Sequence, residues 1–452
     1  MRNAGRPEKE CDAREAMKNT AGYRRIVSLF DRESFHEIDG LAKSGEGPAQ
    51  AVAGHGTVNG CPVYAFSQNG DVEGGAMSRA QAEKIKKIYD LAVKTGAPVV
   101  GIYDSAGGRL SEGADMLAAY GEILLGANSL SGVVPQISVV LGPCEGTSAM
   151  IAAGADFVVM SRKGELSIGT NGEGGSPEEA SRLGVCQLVE EDEEKALASA
   201  RRLLELLPSN NLSGAPVFEE EKPASRAALK DGASAEQIVA SVADRDSFLE
   251  LGAGYGASAG TGFARIGGTV AGLIFYGGAI DADSCSKAAR FLRFCDSFSI
   301  PAVSFVDAEK FATLREASKL SNAYSEATSA KVTLVTGEAC GPVYVALAGR
   351  GANSDFTLAW PGATVSALLP ETAAVFLWND RLAGSSDPVG DRKKMIEEYR
   401  TTEATPWKAA ADGFLEDVVD PENTRAELIS ALTMLSGKRV STLPKKHANI
   451  QL

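Results

Sequence analysis

Histidine, paired cysteines and long apolar runs are scarce in this sequence of 452 residues, and each scarcity excludes a class of protein. The three histidines lie far apart, so no spacing of metal ligands exists and we expect no metal in this subunit. The seven cysteines include no C-x-x-C pair, which argues against a disulfide framework and against a zinc site. Without an apolar leader or a run of membrane-spanning length, the sequence predicts a cytoplasmic protein.

Net positive charge is also missing, since 45 Lys and Arg residues stand against 59 Asp and Glu residues. Nucleic acids are bound through Lys and Arg, so a net charge of −14 argues against such a partner. The phosphate loop G-x-x-x-x-G-K-[ST] is absent, and no histidine has a sequence context that suggests a base for Ser105. Glycine is abundant instead, with 49 residues, which indicates tight turns and close approaches of backbone to a ligand.

The two halves of the chain repeat one pattern. DRESFHE (31–37) matches DRDSFLE (244–250), and the strand-like PVVGIYD (98–104) matches PAVSFVD (301–307). Four more features recur in the same order. They pair GHGTVNGCPVYAF (54–66) with GFARIGGTVAGLIFY (262–276), Gly74-Gly75 with Gly277-Gly278, VPQISVVLGPCEG (134–146) with AKVTLVTGEACG (330–341), and Asp156-Phe157 with Asp355-Phe356. This ordered series predicts a tandem duplication.

Within each half, short β-branched strands alternate with helical segments, which predicts an α/β fold with parallel strands and right-handed crossovers. A stretch rich in Pro, Ser, Gly and Glu (209–235) separates the halves. We therefore predict an amino-terminal arm (1–25), a first domain (26–215), a linker (216–239), a second domain (240–440) and a tail (441–452).

Glycines cluster where strands of such a sheet should end, which is where α/β sheets place their sites. The first half offers DSAGG (104–108) and GPCEGTSAM (142–150), and the second offers VDAEKF (306–311) and GEACGPVYV (337–345). Two backbone N–H groups from different loops can form an oxyanion hole, which stabilises an enolate beside a thioester carbonyl. We expect donors from the DSAGG loop and from Gly146-Thr147.

These residues resemble a known family. The segment FSQNGDVEGGAMSRAQAEKIKKIYDLAVKTGAPVVGIYDSAGGRLSEG (66–113) is similar to the signature of biotin-dependent acyl-CoA carboxyltransferases. The similarity continues in order through SGVVPQISVVLGPCEG (131–146), LLPSNN (206–211), DADSCSKAARFLRFCDSFSIP (281–301), FTLAWP (356–361) and ATPWKAAADGFLEDVVDPENTRAELISAL (404–432). Beta subunits of propionyl-CoA carboxylase and alpha subunits of methylmalonyl-CoA decarboxylase carry the same series of motifs.

The resemblance implies two tandem crotonase-like (ClpP/crotonase) β-β-α superhelical domains. It implies that the first half binds a coenzyme A thioester and the second binds biotin, which is carried on a separate carrier domain or protein. Its implied partners are the biotin carboxyl carrier, a biotin carboxylase or membrane decarboxylase subunits. It also implies assembly with further copies, from dimer to hexamer, or with a paralogue.

The repeat and the resemblance together give the candidate site residues. The catalytic backbone groups would belong to Gly107, Gly108, Gly146, Thr147, Gly341 and Val343. The residues that contact the thioester or biotin would be Gly74, Gly75, Ala106, Gly277, Gly278, Pro342, Tyr344 and Val345.

This sequence departs from the family pattern in its second half. VDAEKFATLREASKL follows the strand where the family carries a glycine-rich loop, and Pro342 stands where the family carries glycine. Proline has no N–H, so a donor is lost unless Val343 or a water replaces it. Besides a working carboxyltransferase, the chain could be a degenerate, non-catalytic or half-active partner subunit. It could also be a biotin-independent crotonase-type enzyme, with Glu112 or Glu145 as base.

Overall fold

The computed structural model describes residues 15–44, 47–48, 51–169, 175–225, 227–447 and 449. The chain divides into two compact units, and the division falls between Gly214 and Ala215. We call them the first unit and the second unit.

The first unit is built on one eight-stranded sheet. In chain order its strands, with a separate short hairpin β2–β3, are β1 (His36–Glu37), β2 (Lys43–Ser44), β3 (Gly47–Pro48), β4 (Ala51–Val58), β5 (Cys61–Gln68), β6 (Val99–Ser105), β7 (Gln136–Glu145), β8 (Phe157–Ser161), β9 (Glu165–Ser167) and β10 (Leu188–Glu190). The strand order is β1-β4-β5-β6-β7-β8-β10, with β9 also paired to β7. The β1–β4 and β4–β5 pairs are antiparallel, and the pairs from β5 onward are parallel.

Helices cover this sheet, and their bounds follow from apolar spacing and capping residues. They are α1 (Ala21–Leu29), α2 (Arg79–Thr95), α3 (Asp115–Leu130), α4 (Thr147–Ala153), α5 (Pro177–Arg182) and α6 (Glu193–Leu206), with short 3-10 turns at Glu73–Gly75 and Leu110–Glu112. Helix α2 is typical: the Ser78 side chain accepts the Gln81 N–H at its start, and Gly96 adopts a left-handed conformation at its end. Its buried residues Ile85, Ile88 and Ala92 recur at helical spacing and face the core.

The second unit has its own eight-stranded sheet. Its strands are β11 (Leu249–Leu251), β12 (Ala259–Ile266), β13 (Thr269–Ile280), β14 (Ala302–Phe311), β15 (Lys331–Cys340), β16 (Phe356–Ala359), β17 (Thr364–Ser366) and β18 (Asp417–Val418). The order is β11-β12-β13-β14-β15-β16-β18, with β17 also paired to β15. The first two pairs are antiparallel and the others are parallel. Each strand of this sheet therefore has a counterpart in the sheet of the first unit.

The second unit also carries a helical insertion between β17 and β18. The helices of the whole second unit are α7 (Ala235–Val242), α8 (Ala282–Ser297), α9 (Arg315–Glu326), α10 (Pro370–Trp378), α11 (Pro388–Thr402), α12 (Pro406–Ala411) and α13 (Thr424–Leu435), with a π-helical turn at Tyr344–Ala348 and 3-10 turns at Asn379–Leu382 and Pro421–Asn423. Of these, α10, α11 and α12 belong to the insertion. Helices α10 and α11 enclose a small core of their own, made of Ala373, Ala374, Met395, Tyr399 and Ala404.

The two sheets are separate and have the same strand order, which confirms the predicted duplication and the predicted α/β fold. The finer division into arm, linker and tail stays a prediction. Helix α1 crosses the predicted boundary between residues 25 and 26, and α7 begins at Ala235, within the predicted linker. Within the described ranges, no helix is long and apolar enough to cross a membrane.

The repeated aspartates of the sequence have a structural role in both units. Asp31 accepts the N–H groups of Asn59 and Gly60 at 3.0 and 2.9 Å, and it pairs with Arg201 on α6 at 2.8 Å. The aspartate therefore fixes the turn between β4 and β5 and ties the last helix of the unit to it.

Asp244 does the same in the second unit. It accepts the N–H groups of Gly267 and Gly268 at 3.0 and 2.9 Å and pairs with Arg425 on α13 at 2.7 Å. The repeat therefore preserves a hairpin clamp, and this explains why the DRESF and DRDSF motifs match so well.

We expect Asp244→Ala to destabilise the protein by about 3–5 kcal/mol, because it removes one partner of a buried ion pair. The Asp244 side chain is 0 % exposed, whereas the Asp31 side chain is 28 % exposed, so water can replace part of what Asp31→Ala removes. Urea unfolding of both variants measures the difference. Equal losses would contradict this explanation.

Candidate active site

The DSAGG loop of the first unit lies alongside the segment that contains the first glycine pair. Ala106 donates its N–H to the Gly74 carbonyl at 2.9 Å. Met77 donates to the Gly107 carbonyl at 2.8 Å, and Arg109 donates back to the Met77 carbonyl at 2.9 Å. The structure thus brings together five of the predicted site residues, namely Gly74, Gly75, Ala106, Gly107 and Gly108.

Both members of this glycine pair adopt a left-handed conformation, but only Gly75 is crowded. Its φ is 68°, and a Cβ placed there would lie 2.1 Å from the Asp104 carbonyl oxygen. Gly74 has a φ of 62°, and the nearest atom to its Cβ would be the Ala106 Cβ at 3.7 Å. Gly75 therefore allows the end of β6 to approach this turn.

We expect Gly75→Ala to lower the melting temperature more than Gly74→Ala does. Both substitutions place a side chain at positive φ, which costs about 1 kcal/mol or more, and Gly75→Ala must also displace Asp104. Differential scanning fluorimetry of the two variants tests this. Equal shifts would show that the close approach to Asp104 is not a constraint.

The N–H of Gly146 is already used within the sheet. It donates to the Ser167 carbonyl on β9 at 2.9 Å, so it is not available to a ligand as the sequence had suggested. Thr147 is the first residue of α4, and its N–H has no acceptor among the described residues. Of the predicted Gly146-Thr147 pair, only Thr147 offers a donor.

A second donor comes from the DSAGG loop. The Gly107 N–H donates to the Ser105 hydroxyl at 3.3 Å, while the Gly108 N–H has no acceptor within the part of the chain that the structure describes. The first unit therefore presents two backbone donors from two segments, Gly108 and Thr147. That is the composition of an oxyanion hole.

The second unit repeats this arrangement with one donor replaced. Gly341 has a φ of 51°, and its N–H donates to the Ser366 carbonyl on β17 at 2.9 Å, as Gly146 does to Ser167. Pro342 stands at the position of Thr147 and has no N–H. Val343 follows it, and the Val343 N–H has no acceptor in the described ranges. The second unit therefore keeps at most the Val343 donor at this place.

A cleft of about 520 Å³ opens beside Pro342. Its larger apolar lining residues are Phe311, Leu314, Pro342, Val343, Leu368 and Leu369, and the polar residues Glu309, Lys310, Thr313 and Thr372 also line it. Two residues that the sequence assigned to it lie elsewhere. Tyr344 donates its hydroxyl to the Phe414 carbonyl at 2.6 Å, and Val345 is an exposed residue that does not line the cleft.

The second glycine pair also lies elsewhere. Gly277 and Gly278 are strand residues of β13, opposite Asp307 and Ala308 of β14. Strand β14 continues to Phe311, whereas β6 ends at Ser105, because the second unit has no glycine-rich loop after its aspartate. Gly277 lines a different cavity, of about 530 Å³. The structure therefore does not bring this pair to the cleft beside Pro342.

The titratable side chains at these strand ends do not suggest nucleophilic or metal chemistry. Burial raises the pKa of the Cys144 thiol and that of Cys340, so neither is a thiolate at neutral pH. Among the described residues, no group of three or more His, Cys, Asp or Glu side chains could hold a metal ion. The backbone N–H groups are the chemistry-bearing elements.

Sequence patterns missed three contributors to the site. Ser167 and Ser366 use backbone carbonyls, and side-chain chemistry gives no signal for such a role. Arg25 is an ion-pair partner of Asp104, 79 positions further along the chain. Only the spatial arrangement connects it to the DSAGG loop.

Comparison with known proteins agrees with this duplicated arrangement. Residues 14–450 match the model of the carboxyl transferase domain. Methylmalonyl-CoA decarboxylase subunit alpha of Propionigenium modestum is 35 % identical, over 98 % of this chain and 95 % of that protein. The carboxyltransferase subunit of propionyl-CoA carboxylase from Haloferax mediterranei is 36 % identical, over 95 % of this chain and 92 % of that protein.

A solved structure is similar over the whole length. The crystal structure of transcarboxylase 12S, with methylmalonyl-coenzyme A and methylmalonic acid bound, matches with a TM-score of 0.91 and 32 % identity. The match covers 100 % of this chain and 99 % of that one. The chain belongs to the carboxyl transferase domain family.

Proposed function

We propose that this protein is the carboxyltransferase subunit that moves a carboxyl group between biotin and the α-carbon of an acyl-CoA. The main support for the proposal is the pair of backbone N–H groups of Gly108 and Thr147. They lie in a chain that matches the carboxyl transferase domain over residues 14–450. Such donors stabilise negative charge on a thioester oxygen when the α-carbon loses or gains a carboxyl group.

The first unit is the acyl-CoA unit in this proposal. The thioester oxygen accepts the Gly108 and Thr147 N–H groups, and the enolate form of the thioester is held more tightly than the ground state. Gly74, Gly75, Ala106 and Gly107 shape the loop that aims Gly108. No protein base is needed at this place, which agrees with the scarcity of histidine in the sequence.

The second unit is the biotin unit. The cleft beside Pro342 suits a small bicyclic ring system because most of its lining is apolar. Val343 is a fully buried residue in its wall, and the Val343 N–H has no acceptor among the described residues. Biotin supplies the nitrogen that carries the carboxyl group and is delivered by a separate carrier. Gly341, Pro342 and Val343 would hold and orient it.

The proposal is tested with the purified protein, free biotin, and malonyl-CoA and methylmalonyl-CoA as carboxylated substrates. We expect the CoA substrates to lose their carboxyl group in a reaction that depends on biotin. Mass spectrometry of the CoA product measures this loss. Loss that does not depend on biotin would favour a biotin-independent crotonase-type enzyme. Binding of the thioester without any conversion would favour a non-catalytic partner subunit.

Assembly forms part of the proposal. The solved relative is described as a hexamer assembly, and we propose that this chain also associates with further copies or with a paralogue. The partners would be a biotin carrier protein and a biotin carboxylase or membrane decarboxylase subunits. Light scattering at micromolar concentration should give at least a dimer, and a monomer would contradict this part of the proposal.

A further inference from the structure

Arg25 joins helix α1 to the carboxyl end of β6, where the DSAGG loop begins. Its Nη1 lies 2.5 Å from Asp104 Oδ2, and its Nη2 and Nε lie 2.6 and 2.8 Å from the two carboxylate oxygens of Glu193. The Arg25 side chain is 10 % exposed and that of Asp104 is 15 % exposed. Burial lowers the pKa of Arg25, but the hydrogen bonds to Glu193 and Asp104 outweigh it and raise the pKa. The guanidinium is therefore permanently charged.

Asp104 is held tightly at this place. A Cβ on Gly70 would lie 2.7 Å from its carboxylate oxygens, and a Cβ on Gly142 would lie 2.3 Å from Oδ1. The carboxylate thus fills the space that two absent side chains leave, on the turn after β5 and on β7. Asp104 is the first residue of the DSAGG loop, so the loop that carries the Gly108 donor starts from a fixed residue.

The second unit shows the same carboxylate without the cation. Asp307 is packed against Gly337, whose Cβ would lie 2.0 Å from Asp307 Oδ1, and it accepts the Glu338 N–H at 2.9 Å. In the described part of the chain no Lys or Arg pairs with Asp307. Ile238 is six positions before Asp244, as Arg25 is six positions before Asp31, so an apolar residue replaces the arginine. Ile238 and Asp307 line the same cavity, of about 530 Å³. Lys287 also lines it, but its ammonium group donates to the Gly252 carbonyl at 3.2 Å.

We infer that Arg25 is a positioning residue for the acyl-CoA reaction, which fixes the DSAGG loop through Asp104 and compensates the charge of that carboxylate. An uncompensated carboxylate at the start of the loop would repel the negative charge that develops on the thioester oxygen, since Coulomb interactions are weakly screened where water is excluded. The duplication retained the carboxylate in both units, but among the described residues a guanidinium pairs with it in the unit that offers both backbone donors and not in the other. The inference rests on the proposed function of the first unit.

The test compares Arg25→Met, Arg25→Lys, Asp104→Asn and the double variant Arg25→Met/Asp104→Asn in the biotin-dependent assay. We expect Arg25→Met to lower kcat by about tenfold, less than the 10²–10³ that full loss of an oxyanion donor costs, with little change in the KM for acyl-CoA. Arg25→Lys should retain part of the rate. The double variant should recover much of it, because no bare carboxylate remains.

Arg201→Met is the matched control. Arg201 also ties α6 to the end of α1 through the Leu29 carbonyl, and to the following turn through Asp31, but it is not a hydrogen-bond partner of Asp104. It should lower the melting temperature and leave kcat unchanged. If Arg25→Met keeps the wild-type kcat, or if the double variant is no faster than Arg25→Met, the inference is overturned.

Two further results keep the test decisive. Should Arg25→Met fail to fold, Asp104→Asn and Arg25→Lys still decide. Asp104→Asn leaves no carboxylate that needs compensation, so its kcat should fall no further than that of Arg25→Lys. A larger loss of kcat in Asp104→Asn than in Arg25→Lys would overturn the inference. An inactive wild type would instead refute the proposed function.

Discussion

Thr147→Pro should lower the rate of carboxyl transfer by about 10²–10³-fold, because it removes one of two N–H donors to the thioester oxygen. Proline is well tolerated at the first position of a helix, where Thr147 lies, so the fold should persist. The second unit demonstrates this tolerance, since Gly341 at positive φ is followed there by Pro342. The kcat of the biotin-dependent reaction measures the loss.

Thr147→Ala is the control for this prediction. It removes the same side chain but keeps the N–H, so its kcat should remain near that of the wild type. If Thr147→Pro and Thr147→Ala have similar rates, the thioester oxygen is not held by this backbone group.

Pro342→Gly should raise the rate, because it returns an N–H group to the second unit. The upper limit of the gain is about 10²–10³-fold, and the strand that replaces the glycine-rich loop after Asp307 should keep the gain below that limit. Pro342→Ala restores the same donor with less backbone freedom and should act in the same direction. The biotin concentration dependence of the rate is the measurement.

Pro370→Ala provides the control, since Pro370 begins helix α10 and does not line the cleft. The wild-type rate could be high and unchanged in both Pro342 variants. That result would show that the second unit does not build an oxyanion hole from the segment around Pro342. A pair of Pro342 variants that remain inactive although they bind acyl-CoA would favour a non-catalytic partner subunit.

The duplication and the fold were predictable because they depend on local patterns. The DRESF and DRDSF motifs mark a clamp made by Asp31 and Asp244, and alternating strands and helices mark the two sheets. Pro342 was also identified as the missing donor, since proline lacks an N–H whatever its surroundings.

The details of the site were less predictable because they depend on distant partners. The Gly146 N–H is used by Ser167, and this becomes visible only when the short strand β9 is placed beside β7. Gly277 and Gly278 lie within a strand because β14 continues where β6 ends. The Arg25–Asp104 pair joins residues 79 positions apart.

The most direct test of the central claim is hydrogen–deuterium exchange of the wild-type protein with propionyl-CoA and, separately, with free biotin. Propionyl-CoA should slow amide exchange in the peptides that contain Gly108 and Thr147, and biotin should slow it in the peptides that contain Leu314 and Val343. Protection of the Val343 peptide by propionyl-CoA, with none at Gly108 and Thr147, would contradict the assignment of acyl-CoA to the first unit.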